Sequence, residues 1–155
     1  MGLTNKDILR RIRYVFNFGD DKMIDLFRKG NKDVTRSEIS NWLKKEDDPD
    51  QEEVKDVDLA HFLNGLIIEK RGKKEGAPAM IAERSLTNNI IFRKLRIALN
   101  LKDTDILDIY ELADLQVSKH EISAIFRKPG QRQYRACQDQ FLRNFLQGLQ
   151  MKFRN

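Results

Sequence analysis

Apolar residues along this chain recur at intervals of three and four. Ile8, Ile12, Val15 and Phe16 form one such set, Met23, Ile24 and Phe27 a second, and Ile39, Trp42 and Leu43 a third. A fourth and longer set is Leu59, Phe62, Leu63, Leu66 and Ile67. Each set falls on one face of an α-helix, where side chains three and four apart lie side by side. Polar and charged residues fill the positions between. The pattern then starts again with Ile91, Leu95, Ala98 and Leu99, continues through Ile106, Leu107 and Tyr110, then Ile122, Ile125 and Phe126, and closes on Phe145, Leu146 and Leu149.

The return is a duplication. When residues 4–72 are laid on 87–155 without a gap, 20 of 69 pairs are identical, where unrelated sequences of ordinary composition give roughly one in fifteen. FLNGL at 62–66 reappears as FLQGL at 145–149. Thr35 with Glu38 and Ser118 with Glu121 are capping boxes, each predicting the start of a third helix. Asp20 and Asp103 stand where an N-cap is expected for the second. Gly65 costs a helix about 1 kcal/mol against alanine, so its recurrence at Gly148 predicts a close helix crossing. A unit of some 70 residues buries a marginal core alone. The expected fold is therefore all-α: two pseudo-symmetric four-helix repeats, each with a helix-turn-helix-like segment, docked into one body. The expected boundaries are 1–72 for the first repeat, 73–86 for the linker, where Gly76 and Pro78 break helix, and 87–155 for the second repeat.

Charge separates the halves. Residues 1–77 carry 16 basic and 16 acidic side chains, whereas 78–155 carry 13 and 8, so the formal net charge of +5 sits in the second half. A basic face attracts phosphate or an acidic protein surface. With 40% hydrophobic residues the chain can fold, and no apolar run approaches the ~20 residues that span a bilayer. The start, MGLTNKDILRRIRYVF, lacks the apolar core of a secretory signal, and Lys6 stands where myristoylation needs Ser or Thr. A single cysteine, Cys137, excludes an internal disulfide. A cytoplasmic protein with no membrane partner is expected.

The run FLNGLIIEKRGK at 62–73, APA at 77–79 and TNNIIFRKLRIALNLK at 87–102 together resemble the YehS-like family of small bacterial proteins, as do ISNWLKKED at 39–47 and CQDQFLRNFLQGL at 137–149. The resemblance runs nearly the length of the chain. It implies a bacterial protein of a family with no known function, and it supplies no catalytic residues.

The residues themselves offer two kinds of surface. VTRSEISNWL at 34–43 resembles the turn and recognition helix of repressor-type proteins, with Arg36, Ser37, Ser40, Asn41 and Lys44 as outward candidates. It departs from that pattern at Asp33, where a turn glycine is usual, and at Lys29, where a small residue is. In the second unit the corresponding candidates are Lys119, His120, Ser123 and Arg127. The loop that follows contains Lys128, Arg132, Tyr134 and Arg135, which can hold phosphates and stack on a base. Arg93, Lys94 and Arg96 extend that basic set. The equivalent loop of the first unit is acidic: 46–58 holds eight acids, among them Glu46, Asp47, Asp48, Asp50, Glu52 and Glu53, and one base. It repels nucleic acid and suits a basic protein surface. Arg10 with Arg13 and Arg93 with Arg96 each share a helix face; they are expected to bridge to Asp25 and Asp108 or to cap neighbouring carbonyls, with phosphate binding as the other option.

Catalytic signatures are missing. There is no HExxH, CxxC, GxGxxG or P-loop pattern, the two histidines do not recur, and 46–58 lacks the alternating ligands and central glycine of a calcium loop. Neither a cofactor nor a metal is expected, and the chain is read as a non-enzyme. Three readings stay open. The preferred one is a protein-interaction or adaptor module, with an unknown protein or a second copy as partner. The alternative is nucleic-acid binding by the second repeat. The third is a small-molecule pocket between the units.

Overall fold

The computed structural model describes residues 2–73 and 75–154; Met1 and Asn155, the outer limits of the two expected repeats, and Lys74 in the linker lie outside them. Eight helices and no strand occur among the described residues: α1 (Asn5–Phe16), α2 (Asp20–Lys29), α3 (Arg36–Leu43), α4 (Asp56–Arg71), α5 (Asn88–Leu99), α6 (Asp103–Leu112), α7 (Lys119–Ile125) and α8 (Asp139–Phe153). The first four and the last four are the two repeats.

Local chemistry sets the helix ends. Thr4, Thr35 and Ser118 cap α1, α3 and α7, each hydroxyl accepting the N–H three residues on. α1 and α5 stop at Asn17 and Asn100, both left-handed with φ of 54° and 53°, a conformation asparagine tolerates better than most residues. Asp20 and Asp103 are not caps. Gly19 and Lys102 occupy those positions. The two aspartates lie one residue inside, where they favour the helix dipole and bind Arg13 at 3.0 Å and Arg96 at 2.9 Å. The aspartates that Arg13 and Arg96 bind are thus Asp20 and Asp103 and not Asp25 and Asp108, while the expected capping of neighbouring carbonyls does occur. Each arginine ties the end of its helix to the next, with Nε donating to the carbonyl of Phe18 or Leu101.

Most stripe positions are buried, Phe16, Ile24, Leu43, Leu99, Leu107 and Phe126 only partly, and Leu26 and Ile109 are fully buried in addition. Phe27 stacks on Trp42 at 5.2 Å and meets Phe62 at 5.4 Å, so Trp42 is a core residue. In the second repeat Phe92 meets Phe145 at 4.3 Å, and the Tyr110 hydroxyl donates to the carbonyl of Phe141 at 2.8 Å. α2 crosses α4 at two glycines. A Cβ on Gly65 would overlap the Leu26 carbonyl, and one on Gly30 the His61 carbonyl. The His61 ring donates from Nδ1 to the Gly30 carbonyl at 2.6 Å, so the crossing is also hydrogen-bonded. Gly148 packs in the same way on Ile109, with Ala113 in place of Gly30.

The repeats dock through a pseudo-twofold interface in which α4 lies along α5 and α8 lies along α1. Individual bonds are mirrored. Lys94 donates to Asn64 at 2.6 Å, and its counterpart Arg11 donates to Gln147 at 3.0 Å. The amide of Leu86 donates to Asp56, and that of Leu3 to Asp139, both at 2.9 Å. The α4–α5 contact is the more extensive of the two.

Candidate functional site

The predicted basic surface divides in two. Arg96 is consumed by the fold, bound to Leu101 and Asp103 and lying over the Phe126 ring at 4.6 Å. Lys94 is only 11% exposed and sits between Asn64 and Glu83, 3.0 Å from the latter. Glu83 Oε1 is buried and accepts no well-aligned hydrogen bond, so this ion pair is its partner. Arg93 is half-buried. Lys94 and Arg96, being paired within the fold, have little free charge to offer a phosphate.

The rest converge. Arg127, Tyr134 and Arg135 line one hollow of about 440 Å³ together with His120, Glu121 and Gln133. Lys119, Lys128 and Arg132, neighbours in sequence of its lining residues, are exposed. Arg127 donates to the Arg132 carbonyl at 3.4 Å, while its Nε is buried without a partner. The loop is held from beneath. Asn89, buried in α5, donates to the carbonyls of Ile125 and Arg135 and accepts from the Cys137 amide at 2.8 Å. Burial pushes the Cys137 thiol up to about 12, so it stays protonated at neutral pH and is a poor nucleophile.

In the first repeat Lys6 takes the place of Asn89. Its ammonium is buried and donates to the Lys44 carbonyl and to Gln51, pinning the acidic loop to α1. Glu46, Asp47, Asp50, Glu52 and Glu53 are exposed on that loop and Asp48 is half-buried, accepting from the Asp50 amide. Among the described residues no group of three His, Cys, Asp or Glu side chains is placed to hold a metal ion. On the helix-turn-helix-like segment, six residues (30–35) separate α2 from α3, and Arg36 pairs with Asp20 and Asp21 rather than projecting freely.

A cleft of about 950 Å³ lies on the pseudo-twofold axis, lined by five equivalent pairs: Val15 and Ala98, Phe16 and Leu99, Asn17 and Asn100, Lys70 and Phe153, Arg71 and Arg154. Four helix C-termini converge there. Its cations offset their dipoles: Arg71 donates to Asn100 at 2.7 Å, Arg154 to the Tyr14 carbonyl at 2.6 Å, and Lys70 lies over Phe16.

The feature that sequence reasoning missed is the apolar surface. Met80, Ile81 and Ile97 are exposed on the linker and the groove beneath it. Ala77–Met80 share that groove, about 270 Å³, with Lys29, Ile68, Arg71 and Ile97. The pseudo-equivalents of those four are Leu112, Met151, Arg154 and Tyr14, with the Arg154 guanidinium over the Tyr14 ring at 3.8 Å. Tyr14 is 49% exposed, Met151 46% and Leu112 41%. Beside them Arg10, Arg11, Tyr14 and Arg143 line a hollow of about 540 Å³ along α1 and α8. A signal existed: positions 14/97 and 68/151 are apolar in both repeats yet lie off the core stripes.

Fold and surface thus define an all-α tandem-repeat protein whose exposed features are faces rather than an enclosed pocket. The family described as "Protein of unknown function (DUF1456)" matches residues 5–72 and again 88–155, one match on each repeat. The chain belongs to that family. It is 45% identical over 147 residues to the uncharacterized protein YehS of Escherichia coli (strain K12), covering 95% of this chain and 94% of that protein. No solved structure matches.

Proposed function

We propose that this protein is a non-catalytic binding module that works through another protein. The observation that carries this reading is the placement of its exposed apolar side chains. Tyr14, Leu112 and Met151 are large and solvent-exposed, and they are the pseudo-equivalents of Ile97, Lys29 and Ile68, which line one groove with the linker in the other repeat. Grouped exposed apolar residues rimmed by charge mark interaction surfaces, whereas single ones do not. The test is co-purification of the tagged protein from native lysate. The wild type is expected to recover a stoichiometric partner that Met151→Glu with Leu112→Lys loses. A strictly solitary monomer, or capture unaffected by those changes, counts against the reading.

A second reading rests on the basic hollow of the second repeat. Arg127, Tyr134 and Arg135 come together there, which supports contact with a single-stranded or duplex nucleic acid. The test is anisotropy of labelled strands at low and near-physiological salt. Phosphate contacts predict binding that falls steeply with salt and is abolished by Arg132→Glu with Arg135→Glu.

A further inference from the structure

Resting on the second reading just given, we infer the form of the nucleic acid: a single strand, one of whose bases leaves the stack and enters the hollow of the second repeat, with its flanking phosphates on Arg127, Arg132 and Arg135. The duplication supplies the comparison on which this rests. Both repeats build the same turn here, since the Arg135 amide donates to the Ala124 carbonyl at 3.1 Å and the Glu52 amide to the Asn41 carbonyl at 3.0 Å. The side chains on that shared backbone differ in three respects, and each favours a base in the second repeat.

The first is space. In the first repeat Asn41 stands where Ala124 does, and its side chain accepts from Lys44 at 3.0 Å. The small Ala124 instead lines the hollow of about 440 Å³. The second is the aromatic ring. Gln51 is drawn inward by the buried ammonium of Lys6 at 2.6 Å. Its counterpart Tyr134 has no such anchor, because Asn89 holds the loop by the Arg135 carbonyl and the Cys137 amide. Tyr134 lines the hollow half-buried, and its ring makes no aromatic or cation–π contact among the described residues. The third is charge. Arg135 replaces Glu52, and among the described residues neither it nor Arg132 forms an ion pair. Arg127 has only its 3.4 Å bond to the Arg132 carbonyl, with Nε unpartnered, so turning outward to a phosphate sacrifices little. Glu121, the acid that lines the hollow, is committed to its capping box and accepts from the Ser118 amide and hydroxyl. A concave site with a ring in its wall suits an unstacked base. In a duplex both faces of a base are covered, and exposing one costs unpairing as well as unstacking. Charge alone would hold either form, so the ring and the hollow decide between them.

The probes are a labelled oligothymidylate, which forms no duplex of its own, and a hairpin duplex of equal charge, each titrated into the full chain at several salt concentrations. The strand is expected to bind about ten-fold more tightly than the duplex. Tyr134→Ala should weaken the strand about ten-fold and leave the duplex unchanged, while Tyr134→Phe keeps the ring and the affinity. Ala124→Asn installs the first repeat's residue at unchanged charge and should weaken the strand without altering its salt dependence. Arg132→Ala with Arg135→Ala should instead lower the slope of log affinity against log salt by about 1.4, at ~0.7 per lost phosphate contact. None of these side chains belongs to the core, and thermal melts check that each variant keeps the fold. Equal affinity for the two forms, with Tyr134→Ala and Ala124→Asn silent and the arginine variant still weakened, would overturn this inference and leave the nucleic-acid reading standing. If neither probe binds at low salt, that reading falls as well. Poly-glutamate bound as tightly as the strand would move the site to an acidic protein segment and end the inference.

Discussion

Replacing Gly65 by alanine sets two known effects against each other. Alanine stabilises a helix interior over glycine by about 1 kcal/mol, and α4 is the longest helix in the protein. The added methyl, however, would overlap the carbonyl of Leu26. That obstacle is backbone, inside α2, and cannot rotate aside as a side chain can. Relief requires α2 and α4 to separate by an ångström or more along the crossing that buries Met23, Leu26, Phe27 and Phe62 and carries the His61–Gly30 hydrogen bond. Overpacking of this kind costs ~3 kcal/mol or more when the neighbour is rigid, which leaves a net loss of about 2 kcal/mol. For a chain of this size that corresponds to a fall in melting temperature of roughly 4–8 °C. Urea denaturation followed by circular dichroism reads the loss as a lower midpoint at unchanged slope. Gly148→Ala should cost less, because its nearest obstacles include the Ile109 side chain and not the carbonyl alone. A Gly65→Ala protein as stable as the wild type, or more so, would refute the account of the crossing.

The remaining predictions concern charge and burial. Glu69 accepts hydrogen bonds from Lys22 and Lys29, which hold its carboxyl at about 2 against an ordinary 4.5. Its folded pKa is depressed, so its contribution is complete above pH 4.5 and is lost as the pH falls towards 2. With partly exposed lysines the contribution is about 1 kcal/mol after screening, and Glu69→Gln should flatten the acid limb of a stability–pH curve over that window. Lys94→Ala leaves Asn64 and Glu83 without their shared cation. It should cost about 2 kcal/mol in denaturant titration, more than Arg11→Ala at the exposed counterpart. Asn89→Ala releases the 126–138 loop, so hydrogen exchange at the Cys137 amide should accelerate. The Cys137 thiol, inert to a thiol reagent at pH 8 in the wild type, should then react.

Much of the fold is legible in the sequence because duplication states each element twice. The stripe at Leu59, Phe62, Leu63 and Leu66 gains weight from Leu142, Phe145, Leu146 and Leu149, and both glycines mark the crossings that spacing alone would leave unlocated. Asp20 and Asp103 mislead because an aspartate at the cap and one in the first turn look alike in sequence, and the arginine partner that separates the two cases comes from the preceding helix. Lys6 and Asn89 perform one task with different chemistry, so comparing the repeats by identity passes over both. The exposed apolar positions were illegible for a related reason. Tyr14, Leu112 and Met151 read as ordinary helix positions until the packed structure shows that no helix buries them. The acidic and basic loops, by contrast, announce themselves in composition, and the structure gathers Arg127, Tyr134 and Arg135 as their proximity in sequence suggests.

The interface of α4 with α5 and of α8 with α1 has the form of a symmetric homodimer contact written within one polypeptide. In a true homodimer of one unit both faces would be identical, and any change to one would be imposed on the other. Joining the units removes that constraint. Lys94 can be drawn in between Asn64 and Glu83 while Arg11 binds Gln147 alone, and the groove that the connecting chain lines can diverge from its twin. A molecule built in this way can carry two different outer faces, where a dimer of identical halves would offer two equal ones.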